Sequence, residues 1–365
     1  VTITSTEFVV DIGVRRVSLS AGAATGALLT DCFRSLLVPS TPPCLSPADI
    51  VIDDVADGRA RFRFPGGQVI DPIDHDTLPR AVLNVLERMA LDESIVAANL
   101  HGAALTTPGG TGVVLVGRSR SGKTSLSAEL AARGHTYLTD EMVGIDLDTG
   151  TLRAFPRPLS MRAENLERIT AKLVAGERTP SGSRPLVPAE ALGARTARES
   201  PAGTIVFLGH GSDPPRLAGV PAAEALELLV ANCMDIAGRP TPAFTALAWL
   251  AATSTSAGLT FHDPVAGADA VETFVASARP PEAPWAVFVT GDAPDAEGLR
   301  PVAGVVTAVL GDACVVYHPP SKVVVRLNEA GSALWLDLCE GEPLGADHVD
   351  FLDRLVSLGL ATPAR

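Results

Sequence analysis

Lysine is nearly missing from this chain: three of 365 residues, Lys123, Lys172 and Lys322, with the rest of the positive charge carried by arginine. Aromatic residues make up only 4%, and the formal net charge is −13. No basic stripe and no cluster of interleaved basic and aromatic side chains occurs, which argues against nucleic acid as a partner. The five cysteines (Cys32, Cys44, Cys233, Cys314, Cys339) are scattered, odd in number and never spaced C-x-x-C. That pattern excludes a disulfide framework and a zinc site. No apolar run reaches the length of a membrane span. The first residues, Val1 to Glu7, have neither the basic nor the apolar region of a signal peptide. These absences point to the cytoplasm, with no membrane or nucleic-acid partner; a homo-oligomer stays open. At 365 residues there is chain enough for two or three domains with sizeable cores.

Against this scarcity, one lysine stands in a motif. Gly117-Arg118-Ser119-Arg120-Ser121-Gly122-Lys123-Thr124 fits the pattern G-x-x-x-x-G-K-[ST] at every required position. The apolar, β-branched run from Gly112 before it reads as a buried strand, and Ser125 to Gly134 after it reads as a helix closed by a glycine. Strand, glycine loop and helix N-terminus together make a phosphate site. Backbone N–H groups from Gly117 to Ser125 receive phosphate oxygens, Lys123 reaches the β/γ-phosphates, and Thr124 reaches Mg²⁺. The ligand implied is ATP or a close relative.

The chain divides into four parts by composition. Residues 1–92 read as short strands with turn signals, then a helix with apolar positions at Val82, Leu83, Val85, Leu86 and Met89; no chemistry is legible there. Residues 93–278 alternate strands and helices, the pattern of an α/β nucleotide-binding core, with the 176–202 stretch expected as a mobile loop. Residues 279–300 are proline-rich and read as a linker with room for one strand. Residues 301–365 change to three strands followed by two helices, a module of winged-helix size, with Asn328 as an N-cap and Gly359 as a stop.

Two further features bear on the phosphates. Asp140-Glu141 end a strand that starts directly after the loop helix, expected to lie parallel beside the loop strand with its carboxylates in the same crevice. That position suits a base for an attacking hydroxyl or a Mg²⁺ ligand, the alternative being an acidic turn in solvent. His101 precedes Thr107-Pro108-Gly109-Gly110. A hairpin there pairs residues whose numbers sum to about 218, and sets residue 101 opposite Gly117. The alternative for His101 is a packed, hydrogen-bonded histidine. Arg118, Arg120 and Arg162 are candidates to neutralise a transferring phosphoryl group, and His210 and Asp213 are weaker candidates for the same crevice.

His101-Gly102, the Gly117–Thr124 loop and the stretch Gly134 to Val143 together resemble the HPr kinase/phosphorylase family and its looser relatives. That resemblance implies Asp140 as the base for in-line phosphoryl transfer, His101 in support, and Mg²⁺ held by Thr124 and Glu141. Founding members carry a second Asp where this chain has Glu141. They also carry a protein-substrate signature with no counterpart here, which argues against HPr as substrate. The run from Val315 to Gly341, with Leu327, Asn328, Trp335 and the closing Leu355–Leu360, resembles the PqqD-like recognition modules of ribosomal-peptide biosynthesis. It departs from them in the short span between Gly341 and Gly359. The resemblance implies a leader peptide added as a strand at the sheet edge, on Val323, Val324 and Val325. Taken together, the expectation is an ATP-dependent kinase of a Ser/Thr hydroxyl on a ribosomally synthesised precursor peptide. The alternatives are a nucleotide-switched peptide chaperone and a kinase of a free small-molecule hydroxyl.

Overall fold

The computed structural model describes residues 5–38, 48–55, 59–64, 67–177, 185–211, 213–279, 281, 283–291, 299–342, 344 and 346–363. Cys44, Pro65-Gly66, Pro280, Pro294 and the 178–184 part of the expected loop lie outside the described residues.

In the first ninety residues, apolar side chains alternate along each strand, as a sheet with one buried face requires. Phe8, Val10, Val17, Leu19, Ile50, Ile52, Ala60 and Phe62 are all buried. The six strands lie in the spatial order Leu37–Val38, Ser5–Asp11, Arg16–Gly22, Ile50–Val55, Arg59–Arg63, Val69–Asp74. Helix Leu78–Asp92 packs Leu78, Val82, Leu83, Leu86 and Ala90 into this core, which also takes in Met142 and Phe155 from the next region. The N-terminal layer and the nucleotide-binding core therefore share buried apolar contacts.

The central sheet has nine strands. Only Gly112–Val116, Thr204–His210 and Thr255–Phe261 run parallel to one another as bonded neighbours. Helices Lys123–Ala132 and Pro264–Ser277 cover one face, and helices Ala222–Val230 and Pro240–Thr253 the other. The alternation of strands and helices thus gives the mixed α/β core it implied, with antiparallel strands on both flanks.

The last part forms a four-stranded antiparallel sheet in the order Trp285–Val289, Val306–Leu310, Ala313–His318, Val323–Arg326. One face, with Val306, Ala308, Val315 and Tyr317, merges into the core beneath the two helices, where Tyr317 stacks on Phe244 with ring centroids 5.6 Å apart. The other face buries Cys314 and Val316 against helices Glu329–Glu340 and Val349–Ser357 around Trp335, whose indole N–H donates to Thr307 Oγ1 at 3.0 Å. Asn328 caps the first of these helices through the Gly331 N–H, and Gly359 takes the left-handed conformation after the second. The stretch read as a linker supplies the edge strand Trp285–Val289. It is the strand that this reading left room for, and its apolar run pairs residue by residue with Val306–Leu310. The 176–202 stretch, read as a loop with one short element, holds three among the described residues, strands Leu186–Val187 and Glu199–Pro201 and the 3-10 turn Ala189–Leu192. Among the described residues no helix is long and apolar enough to cross a membrane.

Candidate active site

The phosphate loop is shaped by what cannot fit in it. A Cβ on Gly117 would lie 2.6 Å from Ser121 Oγ and 2.9 Å from the Leu208 carbonyl. On Gly122, which has φ +93°, it would lie 2.7 Å from the Phe261 ring. Arg120 is also left-handed at φ +72°, so successive N–H groups turn inward, an anion-binding arrangement. The Ser121 hydroxyl is buried with no hydrogen-bond partner among the described residues. An orphaned donor in a side-chain-free cradle at a helix N-terminus fits the phosphates of a nucleoside triphosphate.

Lys123 opens the loop helix and is itself buried. Its ammonium donates to Gly117 O at 2.5 Å and Arg118 O at 3.3 Å, and lies 3.1 Å from His101 Nε2. Burial pulls this ammonium below the usual lysine range, against the opposing pull of the Glu141 and Asp140 charges. With Nε2 accepting from Lys123, His101 carries its proton on Nδ1, 3.3 Å from Glu141 Oε1. The histidine therefore bridges lysine and carboxylate. The hairpin register that delivers it is the one the number sum gives, with Gly102 paired to Val116 and Thr106 to Gly112.

The carboxylates reach the cleft by a different route from the one expected. Strands Thr136–Thr139 and Met142–Asp146 both pair with the outer edge of the His101 strand, Ala98–Thr106. The His101 strand thus stands between them and the loop strand, because its short hairpin had already claimed the place beside Gly112–Val116. Asp140 and Glu141 fall in the break between the two pairings, where Gly102 N–H donates to Glu141 O at 3.1 Å. Asp140 is 1% exposed, which removes the acidic-turn alternative. Its Oδ1 accepts from the Tyr137 hydroxyl at 3.2 Å and lies 3.4 Å from Arg157 Nε. No hydrogen bond reaches Oδ2 from the described residues. Burial pushes the Glu141 carboxyl up, but the His101 hydrogen bond and the charges of Arg157, His101 and Lys123 leave it below its usual value.

Arg157, 2% exposed, lies among three carboxylates, and the charge of Arg80 also acts on one of them, Glu87. Besides Asp140, Arg157 contacts Glu87 through NH1, and the same nitrogen lies 3.7 Å from Glu141 Oε2. The Glu87 contact is an ion pair without an aligned hydrogen bond. Burial pushes Glu87 up to about 7; the Arg157 charge opposes this, and the Glu141 and Asp140 charges add to it.

These groups open on a cleft of about 610 Å³. Its walls include His101, Ser119 to Ser125, Asp140, Glu141 and Arg162. Arg162 is half-buried and 3.4 Å from Glu164. Arg120 is exposed at the rim; Arg118 is exposed outside the walls, and contributes its carbonyl to Lys123. His210 lines the cleft beside His262, while Asp213 does not. Sequence reading missed Arg80, Arg168 and His262 as lining residues, and Glu87, Arg157 and Tyr137 behind them. His262 directly follows a strand parallel to the loop strand, a signal that could have found it; Glu87 and Arg80 carry none. Among the described residues no group of three or more His, Cys, Asp or Glu forms a ready-made cation cage. The donors present, the Thr124 hydroxyl and one carboxylate, fit Mg²⁺ completed by phosphate oxygens and water.

No protein-family model matches the chain, and no curated protein does. Among solved structures, the chain is similar to the Hpr(Ser) kinase/phosphatase from Coxiella burnetii, at 16% identity and a TM-score of 0.26, over 49% of this chain and 93% of that one. The functional reading rests on the side chains of the cleft.

Proposed function

We propose that the protein is an ATP-dependent kinase that phosphorylates a Ser or Thr hydroxyl of a ribosomally synthesised precursor peptide. One observation carries the kinase reading: a phosphate loop with its lysine and the buried carboxylate of Asp140 line a single cleft, and His101 ties that lysine to the neighbouring Glu141. A nucleotide switch needs the loop but has no use for the carboxylate. In this reading the loop amides and Lys123 hold the β- and γ-phosphates, and Thr124 and Glu141 would hold Mg²⁺, which when bound would neutralise phosphate charge. The acceptor oxygen attacks the γ-phosphorus as its proton passes to Asp140 Oδ2. The bond from the γ-phosphorus to the β,γ-bridging oxygen breaks, and ADP leaves. Arg162 faces the same space and complements the charge spread over the γ-oxygens.

The peptide reading is supported by the outer strand of the C-terminal sheet. Val323, Val324 and Val325 are half-buried, and the strand has no partner on its outer side among the described residues. Such an edge takes an extended chain by main-chain hydrogen bonds. The test incubates the protein with Mg·ATP and synthetic precursor peptides encoded by neighbouring genes, with mass spectrometry locating any phosphate. Phosphate on a Ser or Thr of the peptide supports the proposal. ATP binding with no transfer to any peptide favours the nucleotide-switched chaperone, and transfer to free hydroxy compounds alone favours the small-molecule kinase.

A further inference from the structure

We infer that the N-terminal helix Leu78–Asp92 belongs to the catalytic apparatus, Glu87 acting through Arg157 to position the base Asp140. The inference rests on the kinase reading for the role of Asp140. Its geometry is independent of that reading.

The helix has two faces. Leu78, Val82, Leu83, Leu86 and Ala90 are turned into the N-terminal sheet. Arg80 and Glu87, seven residues apart and so two turns along one side, meet the core instead. Both grip one stretch, Arg157 to Ser160: Arg80 reaches Ser160 Oγ, and Glu87 reaches Arg157. Arg157 is flanked by Pro156 and Pro158, whose rings stiffen the backbone. The guanidinium is planar with donors at fixed angles. Its Nε lies 3.4 Å from Asp140 Oδ1 while its N–H donates to Pro158 O at 3.4 Å, and its NH1 faces Glu87 with Glu141 further off at 3.7 Å. Holding NH1 on Glu87 sets the plane, and the plane sets where Nε points. The Arg157 carbonyl accepts from the Tyr137 hydroxyl at 2.9 Å, the same hydroxyl that reaches Asp140 Oδ1. Arg157 therefore meets Asp140 Oδ1 twice, directly through Nε and through its carbonyl, which shares the single Tyr137 hydroxyl proton with that oxygen. Without Glu87 the guanidinium would swing to the remaining carboxylates and pull Asp140 and Glu141 together. A base displaced by even 1 Å loses on the order of 10²-fold in rate.

The experiment compares Glu87→Ala and Glu87→Gln in the full-length protein, each checked for fold and for nucleotide-binding stoichiometry. Glu87→Ala is expected to lower kcat by roughly 10-fold or more while KM for ATP stays within about 2-fold, since the loop is untouched. Glu87→Gln, which keeps the size of the side chain and an oxygen beside Arg157 but not the charge, is expected to recover only part of that loss. In an Asp140→Asn background, Glu87→Ala should cost almost nothing further, because a positioning residue acts only through the group it positions. Unchanged kcat in folded Glu87→Ala, or rate losses that multiply in the double variant, would overturn the inference. Melting temperatures of the two single variants and the double variant provide the arm that needs no turnover. Shifts that fail to add support the linkage even if no peptide accepts phosphate and the kinase reading falls; additive shifts overturn it in either case.

Discussion

Lys123 has contacts on both sides of the cleft, its own loop's carbonyls on one and His101 on the other. Lys123→Ala therefore removes a phosphate contact and the tie between loop and histidine together. The expected result is weaker ATP binding and loss of phosphoryl transfer with an unchanged circular-dichroism spectrum. Wild-type turnover in that variant would dismiss the active-site assignment. Asp140→Asn is nearly isosteric and keeps a carbonyl for Tyr137. It should retain ATP affinity, measured calorimetrically, and lose transfer by roughly 10²-fold or more. Full activity at saturating nucleotide combined with lost Mg·ATP affinity would make Asp140 a metal ligand instead. Glu87 makes a pH prediction. Its folded value of about 7 lies above the ordinary 4.5, so between these the native state holds a proton that the unfolded chain has released. Stability from this group is then fully present below about pH 4.5 and declines as pH rises through 7, by at most about 3 kcal/mol. Thermal melts of Glu87→Gln across that range should lose this downward slope; an identical slope would show that other groups set it.

The edge strand Val323–Arg326 is where an element can be tested without disturbing the chemistry. Arg326 anchors its end to Glu224 and Glu227 of helix Ala222–Val230, both at 3.1 Å. These pairs are exposed and worth little each, but they hold the edge beside the core. Proline at position 324 removes one main-chain donor and constrains the strand. If a leader adds here, Val324→Pro should raise KM for precursor peptide by roughly 10-fold or more with kcat nearly unchanged, the signature of binding energy common to ground and transition states. Equal kinetics on full-length precursor and leaderless peptide in the wild-type protein would refute leader recognition. Trp335 is no substitute as a probe, because it is fully buried in the module's own core.

Across the molecule, the three larger sheets are joined through buried side chains. Met142 and Phe155 are held in common by the N-terminal layer and the central core. Val306, Ala308, Val315 and Tyr317 are shared between the C-terminal sheet and the core. Cutting the chain after residue 300 would strip Tyr317 from Phe244 and leave the strand Trp285–Val289 without its partner. Exposure of that apolar face is expected to lower the melting temperature sharply or cause aggregation, read by scanning fluorimetry and size-exclusion chromatography. A truncated protein that melts like the full chain would mean the packed face is dispensable. Deletion is thus a poor way to isolate peptide binding, and point variants at the edge are the sound comparison.

What could be read in the residues was whatever depends on near neighbours. The loop of Gly117 to Thr124, the helix after it, the cap at Asn328 and the hairpin register that brings His101 to Lys123 are all set within a few tens of residues, by turn chemistry and by period. The carboxylate pair was legible as well, but its route to the cleft was not. Which edge a returning strand pairs with depends on which edge is already taken, and no local pattern records that. The strand expected in the proline-rich stretch 279–300 is there, but its pairing with Val306–Leu310 is equally unrecorded by local pattern. Glu87 and Arg80 were the least legible, being two charged residues on an amphipathic helix that read as its solvent face. Only the packing of that helix against Arg157 to Ser160 turned the polar side inward. A buried charge is then explained by partners distant in sequence, and tertiary structure alone supplies them.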